Sequence, residues 1–185
     1  MFIVATWNVN SIRARLEHLK RWLKKRQPEV VCLQETKARD EDFPYADLKD
    51  LGYHVAHAPG PGRNGVAILS LHPLEDVQIG FPDHEDPQAR ERLLAATVKG
   101  LRIHSVYVPN GGASEEAFLY KLEFFYRLRE YLEEHYQPED LLLLCGDFNV
   151  APTPLDVYDP ELLEGQVCFH PREREAFKLL LSWGL

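Results

Sequence analysis

The feature that most restricts the fold of this chain is an apolar run, Leu141-Leu142-Leu143-Leu144-Cys145, that breaks off at Gly146 and is followed by Asp147 and Asn149. Five uncharged, mostly aliphatic residues in a row read as a strand buried on both faces. A buried strand that presents a carboxylate and a carboxamide at its C-terminal end has the form in which open α/β sheets place their chemistry. Gly-Asp and Asn are also ordinary turn residues, so this stretch alone is divided between a site and a turn.

The same design recurs along the chain. Residues Phe2 to Trp7 read as a strand ending at Asn8, after which Asn10 or Ser11 caps a helix with an apolar stripe of Ile12, Leu16, Leu19 and Leu23. Pro28 stops that helix, and Val30-Val31-Cys32-Leu33 makes a second buried strand running into Gln34-Glu35-Thr36-Lys37. Strand, helix and strand of this length predict a right-handed crossover between parallel strands, which brings Asn8 and Glu35 to one sheet edge. A short helix follows near Asp47 to Leu51, closed by Gly52, then strands over Tyr53 to Ala58 and Val66 to Ser70. The glycine-rich loop between them, Gly60 to Gly65, lacks the Gly-Lys-Ser/Thr of a phosphate loop and reads as a strand connection.

Leu74 to Phe81 reads as a strand and Asp83 to Gln88 as a polar loop. Leu93 to Val98 and Leu101 to Val108 form a hairpin across Lys99-Gly100, and its second strand ends in Tyr107-Val108-Pro109-Asn110-Gly111. Ser114 caps a long helix to about Tyr136, a proline-rich loop follows the Leu141 strand, and a last helix begins near Pro171. The sum is a layered α/β fold with mixed sheets, read as one domain over residues 1–185. The last helix carries a strong apolar stripe and the chain stops at Leu185, where a connection to another core element would begin. The C-terminus therefore reads as truncated.

A net charge of −8 argues against a uniformly basic coat for nucleic acid. Arg13, Arg15, Lys20, Arg21, Lys24, Lys25 and Arg26 nevertheless make a local basic face, which is either a solvated helix surface or a phosphate-steering one. Cys32, Cys145 and Cys168 are odd in number and show no C-x-x-C spacing, as expected of buried thiols in a reducing compartment. No stretch reaches the ~18 apolar residues of a membrane span, so the expectation is a cytoplasmic protein without a membrane partner. Asparagine is scarce, and Asn8, Asn10, Asn64, Asn110 and Asn149 all fall at strand ends or in glycine-containing loops.

Four strands thus end in Asn8, in Glu35, in Tyr107, and in Asp147 with Asn149. Converging, they would offer hard oxygen ligands with no Cys or His at metal spacing, which suits Mg²⁺ (or Mn²⁺) and not zinc. A carboxylate beside such a metal can hold and deprotonate a water, and an asparagine can grip a phosphate oxygen. This is equipment for phosphoester hydrolysis.

The stretches Trp7-Asn8-Val9-Asn10-Ser11-Ile12-Arg13, Leu33-Gln34-Glu35-Thr36-Lys37, Tyr107-Val108-Pro109-Asn110-Gly111 and Gly146-Asp147-Phe148-Asn149 resemble, in order, the motif series of the exonuclease III family of abasic-site endonucleases. The resemblance covers essentially the whole chain. It implies a four-layered α/β sandwich, two mixed sheets face to face with helices outside. It also implies a Mg²⁺-dependent cut of duplex DNA 5′ to an abasic site, often with 3′→5′ exonuclease and 3′-phosphodiesterase activity at a 3′ end. Carried over by residue, Glu35 would bind the metal with Asn8 beside it, and Asp147 would activate the attacking water. Asn149 would hold the scissile phosphate and Tyr107 would donate to it or brace the nucleophile, with Lys37, Asn110 and Arg13 on the DNA side. Members of the family carry a further Asp ligand and a Ser-Asp-His motif beyond the point matched by Leu185, and this sequence has neither. The expectation is a chain poorly active and poorly stable by itself, or else a DNA-binding fragment. Other phosphoesterases of the same superfamily share the metal-and-Asp logic.

Overall fold

The computed structural model describes residues 1–185. Two four-stranded mixed sheets form. The first, in the order β1-β2-β4-β3, contains β1 (Val4–Asn8), β2 (Val30–Gln34), β3 (His54–Ala58) and β4 (Val66–Ser70). The second runs in sequence order through β5 (Glu75–Ile79), β6 (Leu93–Val98), β7 (Leu101–Tyr107) and β8 (Leu142–Asp147). Five helices accompany them: α1 (Ile12–Arg26), α2 (Tyr45–Lys49), α3 (Glu115–His135), α4 (Pro160–Leu163) and α5 (Pro171–Leu181). The chain divides into two compact units, one of residues Met1–Tyr107 with Leu141–Asp147, the other of Val108–Asp140 with Phe148–Leu185.

In the first unit the period-two alternation of strand side chains decides where the core lies. Val31 and Leu33 of β2, with Ala67 and Leu69 of β4, pack against Ile12, Leu19 and Leu23 of α1. Their neighbours Val30, Cys32, Val66 and Ile68 point the other way and meet Leu94, Ala96, Val98 and Ile103 of the second sheet. The sheets therefore lie face to face, with α1 on the outer side of the first. Each such buried Val, Leu or Ile side chain contributes about 1.5–3 kcal/mol relative to exposure. As expected, β1 and β2 are parallel, and Asn8 pairs in register with Gln34, one residue before Glu35.

The reading of the Leu141 run as a strand buried on both faces needs correction. Strand β8 lies at the edge of its sheet, with β7 as its ladder partner, and its residues are half-buried. The ladder also continues past the apolar run, through Gly146 to Asp147, which stands opposite Tyr107. Gly146 makes this extension feasible: it has φ 151°, and a Cβ there would fall 1.9 Å from the Val106 carbonyl oxygen. Smaller departures have local causes. β5 is shorter than the expected Leu74 to Phe81 and its pairing with β6 is irregular between Glu75 and Gln78, and the polar loop after it closes with a turn of 3₁₀ helix (Pro87–Glu91) capped by Asp86. Leu16 is half-buried, unlike the other three residues of the α1 stripe.

In the second unit α3 starts at its expected cap, where Ser114 Oγ accepts from Ala117 N at 3.2 Å. Phe177 of α5 packs edge-on to Phe125 of α3 and to Phe148, with ring centroids 6.1 and 5.4 Å away. Helix α5 opens with Pro171 and a reciprocal cap in which Glu173 Oε2 accepts from His170 N. The proline-rich stretch is not structureless: Thr153 and Asp156 cap a 3₁₀ turn (Pro154–Asp156), and Asp159 caps α4.

Candidate active site

Four strand ends of the first unit meet in one hydrogen-bonded group. Asn8 Nδ2, at the end of β1, donates to Glu35 Oε1 and to Asp147 Oδ2, at 2.8 Å in each case. Tyr107, ending β7, donates its hydroxyl to the same Glu35 oxygen at 3.0 Å. The other carboxylate oxygen of Glu35 pairs with Lys37 Nζ at 2.9 Å, and Lys37 also donates to Asn10 Oδ1 at 2.5 Å. Sequence reasoning placed Asn8, Glu35, Tyr107, Asp147 and Lys37 on one site, and here they form one hydrogen-bonded group. Arg13 stands apart from it, exposed on α1 and 4.0 Å from Asp42.

The backbone around this group is held in unusual conformations. Asn10, Ser11, Glu35 and Lys37 all have positive φ, of 42°, 86°, 51° and 51°. Such conformations persist only where their surroundings hold them, and they concentrate at functional sites. The restraints are visible: Ser11 N donates to Glu35 O (2.8 Å), Ile12 N to Thr36 O (3.0 Å) and Lys37 N to Asn64 O (2.9 Å). The Gly60 to Gly65 loop thus acts as a brace for the Glu35 turn. Gly65, at φ 99°, fits closely there, since a Cβ would fall 2.2 Å from Thr36 Oγ1.

Burial pushes the Glu35 carboxyl up, but the hydrogen bonds from Asn8, Lys37 and Tyr107 outweigh it and leave the pKa below the ordinary carboxylate value. Glu35 is therefore an anion at neutral pH. Burial, reinforced by the Glu35 charge, pushes the Tyr107 phenol up to about 12, so it is a neutral donor.

Three further residues, Thr36, His57 and Arg92, lie beside this group, and only Thr36 falls within a motif read from the sequence. Thr36, wholly buried, bonds His57 Nε2 at 3.1 Å, and the Phe43 ring stacks on His57 at 4.0 Å. Burial pushes His57 down to about 4, against the opposite pull of Asp40. Arg92 lies with its guanidinium 5.0 Å from the centre of the Tyr107 ring and Nη1 3.4 Å from the Tyr107 carbonyl. Buried His and Arg contacts of this kind arise only from the folded arrangement.

Asn110 and Asn149 belong to the second unit and pair with each other. Asn110 Nδ2 donates to Asn149 Oδ1 at 3.3 Å, and Asn149 Nδ2 donates to Val108 O at 2.9 Å. Asn149 too has positive φ, 49°. Lys121, which sequence reasoning did not single out, donates to the carbonyls of both residues.

A model of the endonuclease/exonuclease/phosphatase family matches residues 5–177. The chain belongs to that family. Among its relatives, exodeoxyribonuclease III of Haemophilus influenzae is 35% identical over 97% of this chain and 72% of its own length. The structure of an AP endonuclease from Archaeoglobus fulgidus superposes with a TM-score of 0.94 at 43% identity, covering 98% of this chain and 70% of that one. The 3′ phosphatase NExo from Neisseria, in a structure bound to a product DNA hairpin, superposes with a TM-score of 0.92 at 37% identity over 99% of this chain and 71% of that one. The chain is thus an exonuclease III-like member of the family, an enzyme type with two mixed sheets and accompanying helices, and the resemblance read from the four motifs holds.

No group of three or more His, Cys, Asp or Glu side chains stands at a metal-holding spacing. The available donor set is instead two carboxylates, Glu35 and Asp147; the Asn8 carboxamide turns its nitrogen to them and its oxygen to Asn10 N. That chemistry fits Mg²⁺, which keeps several waters and takes the rest of its shell from substrate phosphate, and Glu35, anionic and half-buried, could hold it.

Proposed function

We propose that this protein is a Mg²⁺-dependent DNA phosphodiester hydrolase of base-excision repair. Its substrate is duplex DNA with an abasic site, cut on the 5′ side, and it also removes nucleotides or blocking groups from 3′ ends. The observation that carries the reading is the sharing of Asn8 Nδ2 by Glu35 and Asp147, which gathers two carboxylates from distant parts of the chain at one point. Two carboxylates drawn together in a half-buried place repel when both are charged, and Lys37 beside Glu35 with the shared neutral amide offsets part of this. Such an arrangement is useful where a cation and a polyanionic substrate are to be bound.

Mg²⁺ would be held by Glu35, with Asn8 beside it, and when bound it supplies charge to the phosphate and lowers the cost of the developing negative charge. Asp147 orients a water and takes its proton as the water oxygen attacks phosphorus. The P–O3′ bond breaks, and the departing O3′ takes a proton from solvent, leaving a 3′-hydroxyl on the upstream strand and a 5′-phosphate on the abasic residue. Tyr107, a neutral donor to Glu35, keeps that carboxylate aligned. Lys37 and Asn10, linked to each other, make the DNA-facing flank. Asn149 holds the scissile phosphate, and its paired carboxamide supports that role. A cytoplasmic location accords with three unpaired cysteines, and no helix is long and apolar enough to cross a membrane.

Incubation with a duplex carrying one abasic site, with and without Mg²⁺, tests the reading. A nick 5′ to the site that requires the metal is expected. Salt-sensitive binding without any cleavage would replace it with a DNA-binding role.

A further inference from the structure

Lys121 occupies a place where a surface lysine has no reason to be. It lies on the inner side of α3, wholly buried, beside the buried Leu122, Phe124, Phe125 and Leu128. Its ammonium meets three oxygens: Asn149 O at 2.6 Å, Glu173 Oε1 at 2.7 Å and Asn110 O at 3.1 Å. Those three oxygens match its three hydrogens, and Cys168 Sγ stands as a more distant fourth neighbour at 3.9 Å. Glu173 is also wholly buried, and its second oxygen is committed to the start of α5 through His170 N at 3.1 Å. The aliphatic stem is seated as well, because a Cβ on Gly111 (φ 82°) would fall 3.0 Å from Lys121 Cδ.

A buried ion pair is a poor device for stability, since apolar residues of similar size commonly serve as well or better. What this pair does that a leucine and a methionine would not is fix two backbone carbonyls. Both belong to asparagines, and the two side chains are hydrogen-bonded to each other at 3.3 Å. Asn110 Oδ1 further accepts from Gly112 N at 3.2 Å, so its carboxamide is anchored from its own loop. Asn149 sits at φ 49°, a conformation that needs holding, and the shortest of the Lys121 bonds goes to its carbonyl.

We propose that Lys121, locked by Glu173, is a positioning residue that fixes the Asn110–Asn149 pair for binding of a DNA phosphate. The proposal rests on the reading under which Asn149 grips the scissile phosphate. Lys121 itself touches no substrate; it acts through the two asparagines.

The test replaces the ion pair with two thioethers, Lys121→Met with Glu173→Met, and uses the abasic duplex as probe. The expected result is a melting temperature within a few degrees of the parent, kcat lower by roughly 10- to 100-fold, and little change in KM. The loss should largely vanish when the same pair is made in an Asn149→Ala background, because the asparagine it positions is gone. If the double variant does not fold, Glu173→Gln, which keeps an acceptor for Lys121, takes its place with a smaller loss in kcat of roughly three- to tenfold expected. A folded variant with kcat within twofold of the parent overturns the proposal, as does a loss undiminished in the Asn149→Ala background. The side-chain amide NMR signals of Asn110 and Asn149 give a readout independent of catalysis: they should move in the folded variant, and unmoved signals overturn the proposal. Absence of DNA cleavage by the parent would refute the nuclease reading, while the NMR comparison still decides the positioning role.

Discussion

Glu35 and Asp147, which lie on different sheets and far apart in the chain, accept hydrogen bonds from the same Asn8 nitrogen at 2.8 Å each. This relationship joins two carboxylates that have no sequence proximity. It exists because β1 and β2 are parallel and end together, while β7 and β8 are parallel and end together on the facing sheet. The consequences are specific.

Glu35→Gln keeps the shape of the side chain but removes the charge that Lys37 balances and a Mg²⁺ ion would use. The expected outcome is a loss of about 10²–10⁴ in kcat with fold retained, partly recovered at higher Mg²⁺. A metal titration of cleavage rate, alongside a thermal melt, checks both parts.

Tyr107 ionises only near pH 12, so its phenol stays protonated across the working range. A pH–rate profile should therefore show no alkaline limb from this residue below about pH 10. Because its pKa is raised in the folded state above the unfolded value, the associated stability is fully present below about pH 10 and is lost as pH rises toward 12. Tyr107→Phe should flatten that alkaline decline in melts and lower kcat roughly tenfold by loosening Glu35.

His57 has the opposite sign. Its pKa is depressed to about 4 by burial, so the stability it contributes is present above the unfolded histidine value of 6.5 and is lost as pH falls through 4. Burial pushes His104 down to about 3 in the same sense. Melting temperature should fall by several degrees between pH 6.5 and 4, and His57→Gln should lessen the slope. A slope unchanged by that substitution would remove His57 from the account.

Gly146→Ala places a methyl group 1.9 Å from the Val106 carbonyl, which is backbone and cannot step aside. A destabilisation of about 3 kcal/mol or more is expected, of the size reserved for a few mechanisms of which backbone overlap is one. Chemical denaturation reads it directly.

Much of this was legible in the residues. The order of strands and helices, the parallel β1–β2 crossover and the convergence of Asn8, Glu35, Tyr107 and Asp147 all follow from short apolar runs that end in polar groups. Strand position within a sheet does not: Leu142 to Cys145 look the same in sequence whether central or at an edge, because only the ladder partners differ. Lys121 was equally invisible, since a lysine on an amphipathic helix is ordinarily solvated and its burial depends on acceptors from Asn110, Asn149 and Glu173. His57 and Thr36 matter through a contact between strand β3 and the turn after β2 that no local pattern records.

The central claim is that Asp147 and Glu35 act together on a DNA phosphodiester. Single-turnover cleavage of an end-labelled duplex with one abasic site, comparing the parent with Asp147→Asn, measures it most directly. The account predicts a Mg²⁺-dependent nick 5′ to the site in the parent and a rate at least about 10³-fold lower in the variant. A variant that cuts at close to the parent rate would contradict it.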